Sequence, residues 1–259
     1  MSFLTETTDY DNFDPQAYIG DRGFSFGDEA EKKILLFNVD ALHDIFHSGA
    51  VRGHNLLDVG TGPTIRTILS SCGHVDNIYL SDVNKQSRDL LNDWWKSEQT
   101  SEQELTDYVL KKENARNSIE ERQQMMKTKI RGILPIDVRS GNPLGNGNHP
   151  LQFDVITTSL CLESASQTLE EYHKNVQNVA SLLKVGGHLI VLGAFNIPHY
   201  DVGHFKFQCV PLSQNSIGQI YTECGFDIVK CTQTVVSEGG KWNPSSSSES
   251  FAMLAIKKK

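Results

Sequence analysis

A chain of 259 residues is long enough to bury the core of one α/β domain, and nothing in it reads as a linker between two. A formal charge of −8 and a pI near 5.6, with basic residues scattered rather than gathered in a stripe, argue against nucleic acid as a partner. No apolar run approaches the ~20 residues that span a bilayer, which argues against a membrane partner as well.

The first residues, Met-Ser-Phe-Leu-Thr-Glu, lack the basic and apolar blocks of a signal peptide. The five cysteines (Cys72, Cys161, Cys209, Cys224, Cys231) contain no Cys-x-x-Cys pair, so a reducing, cytoplasmic setting is expected. Residues 1–27 form an arm rich in Tyr, Phe and Asp, ahead of a single domain that makes up the rest of 1–259. Asp28 and Glu31 have capping-box spacing, and Ile34, Leu35, Phe37, Leu42, Ile45 and Phe46 recur at helical spacing up to Gly49. An amphipathic helix is predicted there.

Next comes an apolar strand running into a Gly-x-Gly turn, Leu56-Leu-Asp-Val-Gly-Thr-Gly-Pro-Thr-Ile-Arg-Thr67. Lacking a Cβ, Gly60 and Gly62 allow positive φ and a close approach of main chain to ligand, while the following helix start offers free N–H groups. A dinucleotide turn would place a third glycine where Ile65 stands, and no Walker Gly-Lys-Ser/Thr string occurs. The following apolar run ends on Asp82, about 20 residues past Gly60, where a carboxylate can accept from ribose hydroxyls. This layout suits S-adenosylmethionine better than a dinucleotide.

Further strands are predicted at Asn77 to Val83, Ile130 to Ile136, Phe153 to Ser159, His188 to Ala194, Asp227 to Val236 and Phe251 to Ile256. Helical patterns separate the earlier ones. The alternation predicts an α/β, doubly wound, mostly parallel seven-stranded sheet, with the last strand antiparallel in a hairpin across the Ser-rich loop 245–248. Ligand residues then belong at the carboxyl ends of the strands. Ser97 to Lys127 is charged, with few apolar anchors, and reads as solvated helix or as an insertion without chemistry. Trp94 and Trp95 read as packing residues and Cys161 as a small buried one. The histidines show no metal-ligand spacing, so no metal is expected. With no apolar stripe or heptad run, the chain is expected to be a monomer.

Five strings, in order, resemble the small-molecule amine N-methyltransferase family, which includes nicotinamide, phenylethanolamine and indolethylamine (thioether) N-methyltransferases. They are Tyr10-Asp-Asn-Phe-Asp-Pro-Gln-Ala-Tyr18, Asp58-Val-Gly-Thr-Gly-Pro-Thr64, Ile136-Asp-Val138, Ser159-Leu-Cys-Leu-Glu163 and Leu183-Lys-Val-Gly-Gly187. The resemblance implies a class I methyltransferase fold with an N-terminal helical lid. It implies methyl transfer from S-adenosylmethionine to the nitrogen of a small amine or pyridine such as nicotinamide. By the same resemblance Tyr10 and Tyr18 close over both ligands, and Gly60, Thr61, Gly62 and Thr64 receive the methionine end with Ser159 near it. Asp82 takes the ribose and Asp137 with Val138 the adenine, and Ser87 is a further cofactor-binding position. Leu160, Glu163, Gly193, Ala194, Tyr200 and Cys209 match the acceptor side.

Four departures qualify this picture. Gly23 and Phe24 stand in the region of a second arm tyrosine. Arg66 replaces a tyrosine, and would either pair with the cofactor carboxylate or stand as a surface arginine on the helix. Cys209 replaces a serine that contacts the carboxamide in the nicotinamide enzyme. Gly193 replaces an acid that faces the acceptor. Glu163 is therefore the candidate catalytic carboxylate, with Tyr18 beside it, either stabilising the cation formed at a pyridine or removing a proton from an amine. Glu249 is a possible second carboxylate. Two rival readings remain at this level: a thioether or other small nucleophile as acceptor, or a protein that binds S-adenosylmethionine without transferring its methyl group.

Overall fold

The computed structural model describes residues 4–22, 29–147, 149–150, 152–236 and 248–258. Gly23 and Phe24, the Asp28 cap and residues 245–247 of the Ser-rich loop lie outside the described residues. The elements in chain order are β1 (Thr5–Thr7), α1 (Pro15–Arg22), α2 (Glu29–His47), β2 (Gly53–Val59), α3 (Ile68–Ser71), β3 (Val75–Asp82), α4 (Lys85–Lys96), α5 (Gln103–Lys112), α6 (Ile119–Lys129), β4 (Ile130–Pro135), β5 (Phe153–Ser159), α7 (Leu169–Ser181), β6 (Leu183–Phe195), β7 (His199–Val202), β8 (Phe205–Gln208), α8 (Gln214–Glu223), β9 (Phe226–Val236) and β10 (Ser248–Lys257).

Seven strands form the main sheet in the order β4-β3-β2-β5-β6-β10-β9. Pairing is parallel from β4 across to β6, and β10 runs antiparallel to both β6 and β9. The chain steps outward from β2 to β4 and then returns to place β5 beside β2. Strand order therefore reverses there, and a crevice opens at the carboxyl ends of β2 and β5. Neighbouring residues of β2 face opposite sides: Leu57 joins one apolar cluster with Tyr172, Val176 and Tyr221 of α7 and α8, and Leu56 joins the other with Val39, Ile68, Leu91 and Val109 of α2 to α5. A sheet covered on both faces explains its near-continuous apolar strands.

The segment 97–127 departs from its expectation. It folds as α5 and α6, buries Leu105, Thr106, Val109 and Leu110, and joins the second cluster through Met126. Arg122 and Glu113 form an ion pair in which both side chains are 7% exposed, and Arg122 Nη1 also donates to the Leu69 carbonyl at 2.7 Å. Trp94 packs as expected, its Nε1 donating to Gln123 Oε1 at 3.0 Å.

Periodicity did not announce a second, three-stranded sheet, ordered β1-β8-β7. The arm strand β1 pairs in parallel with β8, Thr5 opposite Phe205, and β7 with β8 is antiparallel. Phe13, Tyr200, Val202, Phe207 and Cys209 form its core. Among the described residues no helix is long and apolar enough to cross a membrane.

Candidate active site

The glycine turn is fixed from below. Asp58, at the end of β2, is fully buried, and its carboxylate accepts from Thr67 Oγ1 and Thr157 Oγ1, each at 2.6 Å. Burial pushes its carboxyl up, offset in part by the two threonines. Asp58 thus ties strand, turn and helix together and does not face a ligand. Gly60 and Gly62 have φ of +69° and +66°. A Cβ on Gly60 would lie 2.3 Å from Cys161 Sγ, whereas one on Gly62 would meet nothing within 4 Å, because the space beside it is cavity.

Asp82 ends β3 at the rim of that cavity. Its Oδ2 accepts from the Gly62 N–H and its Oδ1 from the Asn84 N–H, both at 2.8 Å. Burial pushes its pKa up to about 6, with the two N–H groups pulling the other way. Each carboxylate oxygen retains a lone pair for a hydroxyl donor. Open space beside Gly62 and a fixed carboxylate above it fit the ribose and methionyl ends of an adenosyl sulfonium.

The arm closes over this crevice. Asn84 Nδ2 donates to the Tyr10 carbonyl at 2.9 Å, and Tyr10 Oη donates to the Ser164 carbonyl at 2.8 Å. Phe207 lies between two stacked rings, Tyr10 at 5.5 Å and Tyr200 at 5.2 Å between centroids. Arg22 sits 5.7 Å from the centroids of both Tyr18 and Tyr200 and donates through Nη2 to the Asp201 carbonyl at 2.9 Å. On the far side, Asp137 is gripped by Arg139, Nε to Oδ1 at 2.9 Å and Nη2 to Oδ2 at 3.1 Å. Burial would raise the Asp137 pKa, but the Arg139 bonds hold it below the usual carboxylate range.

Of the residues expected from sequence, Tyr10, Tyr18, Gly60, Thr61, Gly62, Thr64, Arg66, Asp82, Asp137, Val138, Ser159, Leu160 and Tyr200 line one cavity. Leu160 does so with φ of +55°, a left-handed conformation that costs a side-chain-bearing residue about 1–2 kcal/mol. Ser87 does not line the cavity. Its side chain is buried in the first turn of α4, where its N–H donates to Asn84 Oδ1 at 2.8 Å, and Asn84 takes the place at the wall.

Glu163, Gly193, Ala194 and Cys209 pack behind the wall rather than in it. Glu163 is 4% exposed, and its Oε1 accepts from the Ala194 N–H at 3.1 Å. Burial pushes its pKa up to about 7, against the opposing Ala194 N–H. A Cβ on Gly193 would meet the Phe251 ring at 2.5 Å and Glu163 Oε1 at 3.2 Å. The room an acid would need at 193 is thus filled by a carboxylate from another segment and by a ring from β10. Cys209 Sγ lies 3.7 Å from Ser164 Oγ. Glu249 is paired in register with Phe195 and is not among the residues lining the cavity. Phe13, Arg22, Glu31, Asn84 and Arg139 also line it, though no motif marked them as site residues. Asn84 alone carried a local signal, as an Asn directly before a helix.

Strand order and site together define a class I S-adenosylmethionine-dependent methyltransferase. Solved structures share the fold at low identity: a methyltransferase from Methanosarcina mazei at 14% identity and TM-score 0.57, covering 83% of this chain and 97% of that one. The N-methyltransferase NodS from Bradyrhizobium japonicum, in complex with S-adenosyl-L-homocysteine, follows at 14% identity and TM-score 0.52, covering 90% and 89%. A model of the NNMT/PNMT/TEMT family matches residues 1–258, and the chain belongs to that family. It is 31% identical over 220 residues to indolethylamine N-methyltransferase of Oryctolagus cuniculus (84% of this chain, 83% of the relative). It is 30% identical over 230 residues to nicotinamide N-methyltransferase of Homo sapiens (87% and 86%) and 28% identical over 224 residues to phenylethanolamine N-methyltransferase of Macaca mulatta (85% and 79%). The protein is accordingly an S-adenosylmethionine-dependent N-methyltransferase of small amines.

Proposed function

We propose that the acceptor is a small amine whose nitrogen carries a proton to be lost, in preference to nicotinamide, and that Glu163 receives that proton. The single observation behind this reading is the Glu163 carboxylate, buried beside Gly193 with a pKa pushed up to about 7. A base matched to the operating pH is what an ammonium-forming substrate requires, because only the neutral amine has a lone pair to attack with. A carboxamide-bearing pyridine would instead want the acid that Gly193 lacks.

When bound, S-adenosylmethionine supplies a methyl carbon already activated on a sulfonium. The protein then has to align and to exclude water, and proximity carries most of the rate. In this reading Asp82 accepts from the ribose hydroxyls, the Gly60 to Thr64 turn receives the methionyl end, and Asp137 with Val138 borders the adenine. Tyr10, Tyr18 and Tyr200 form the aromatic wall against which the acceptor lies. Glu163, behind the cavity wall, takes up the amine proton through water. All five cysteines are free, as suits a cytoplasmic enzyme.

The test is release of S-adenosylhomocysteine by the purified protein offered nicotinamide, quinoline, tryptamine, phenylethanolamine and a thioether. Turnover concentrated on tryptamine and phenylethanolamine is expected. Preference for the two pyridines or for the thioether would overturn the choice of acceptor.

A further inference from the structure

The segment between β3 and β4 sends the Glu102 side chain to the glycine turn. Glu102 is the residue before α5, where a side chain ordinarily caps its own helix, yet it makes no such bond. It adopts φ +46° and ψ +48°, a left-handed conformation that disfavours any residue with a Cβ. From there its carboxylate turns to the glycine turn. Oε2 accepts from the Ile65 N–H at 3.1 Å, and Oε1 accepts from Arg66 Nε at 2.5 Å. Arg66 and Glu102 are 14% and 13% exposed.

Arg66 lines the cavity four residues past Gly62, the glycine whose side faces open space. Its Nη2 donates to the Arg22 carbonyl at 2.8 Å, and Nη1 has no hydrogen-bond partner among the described residues. The guanidinium is thus held on two of its three nitrogens, and the residue lines the cavity beside the turn. A planar, always charged donor fork of this kind matches a carboxylate. The cofactor's methionyl end carries one.

We infer that Glu102 is a positioning residue that holds Arg66 in place to bind the carboxylate of the cofactor's methionyl end. The insertion thereby takes part in cofactor affinity, and Arg66 performs its task less well alone: freed from Glu102, its flexible stem has to be ordered by the ligand. The inference rests on the cofactor placement proposed above.

The test is calorimetry with two probes, S-adenosylhomocysteine, which has the amino-acid end, and 5′-methylthioadenosine, which lacks it. Glu102→Gln is expected to weaken S-adenosylhomocysteine about tenfold, the loss of one charge-assisted contact, while 5′-methylthioadenosine changes less than about twofold. Arg66→Ala should weaken S-adenosylhomocysteine further, and Glu102→Gln should add nothing in that background. Unchanged S-adenosylhomocysteine affinity in Glu102→Gln, equal loss for both probes, or full additivity with Arg66→Ala would each overturn the inference. If the unaltered enzyme already fails to prefer S-adenosylhomocysteine over 5′-methylthioadenosine, the cofactor placement itself is wrong, and the inference falls with it.

Discussion

The two halves of the cavity are built by different means. The half proposed for the cofactor hangs on the carboxyl ends of β2 and β3, where Asp82 and the Gly62 N–H are joined directly and the buried Asp58 pins the turn. The half proposed for the acceptor is assembled from the arm and the β7–β8 hairpin, far apart in the chain and held mainly by rings around Phe207. The first is stiff because it is part of a sheet buried on both faces. The second depends on three short strands and one aromatic cluster, so it is the half that can open without unfolding the domain.

The sharpest way to break this contrast is Phe207→Ala. Removing a fully buried ring costs about 3 kcal/mol or more, and the loss is expected in the acceptor half alone. Amide exchange should quicken in β1, α1 and β7–β8 while β2 to β6 stay protected. Uniform loss of protection would mean the two halves are one cooperative unit.

Asp82→Ala probes the other half. It removes the proposed ribose acceptor and strands two backbone N–H groups, so S-adenosylhomocysteine should bind about 100-fold more weakly. In the unaltered enzyme, affinity should fall as pH drops through about 6, where Asp82 takes up a proton and loses its charge. The Asp82→Ala variant should show no such step in calorimetry. A smaller effect is expected from Gly193→Asp, where the new side chain meets Phe251 and sets a second carboxylate beside Glu163. Urea unfolding should show a loss of about 2 kcal/mol. Undiminished stability would mean the Phe251 ring yields easily and the pocket is roomier than described.

The same contrast governs what was legible in the sequence. The glycine turn, Asp82 and the main strands could be read because each is a contiguous pattern with its own period, and the antiparallel last strand followed from the Ser-rich loop before it. The small sheet was not readable: β1 has three residues and pairs with Phe205 to Phe207, so no local periodicity marks it. Glu102 was hidden for a different reason, being one acid among many in a charged stretch, with a role fixed only by the position of Arg66. Ser87 was assigned to the cofactor by resemblance, but it is fully buried in the first turn of α4 and does not line the cavity. Glu163 could be named from sequence, whereas its occupation of the space beside Gly193 is a fact of tertiary packing.

Glu163 also has a sign that can be checked. Its folded pKa is raised above the unfolded value, from 4.5 to about 7, so the folded state holds a proton that the unfolded chain has released. Stability from this group is therefore present below pH 4.5 and lost as pH rises through about 7, on the order of 3 kcal/mol in all. Glu163→Gln, which cannot ionise, should flatten that part of the stability profile.

The most direct measurement of the central claim is kcat/KM against pH for the unaltered enzyme and Glu163→Gln, with the best amine from the panel. If Glu163 is the base, the unaltered enzyme gains activity through pH about 7, and the variant lacks that step and is slower by about 100-fold or more. S-adenosylhomocysteine affinity should be the same in both. Full turnover by Glu163→Gln with the same pH profile would contradict the assignment and leave the amine to be deprotonated by solvent before it binds.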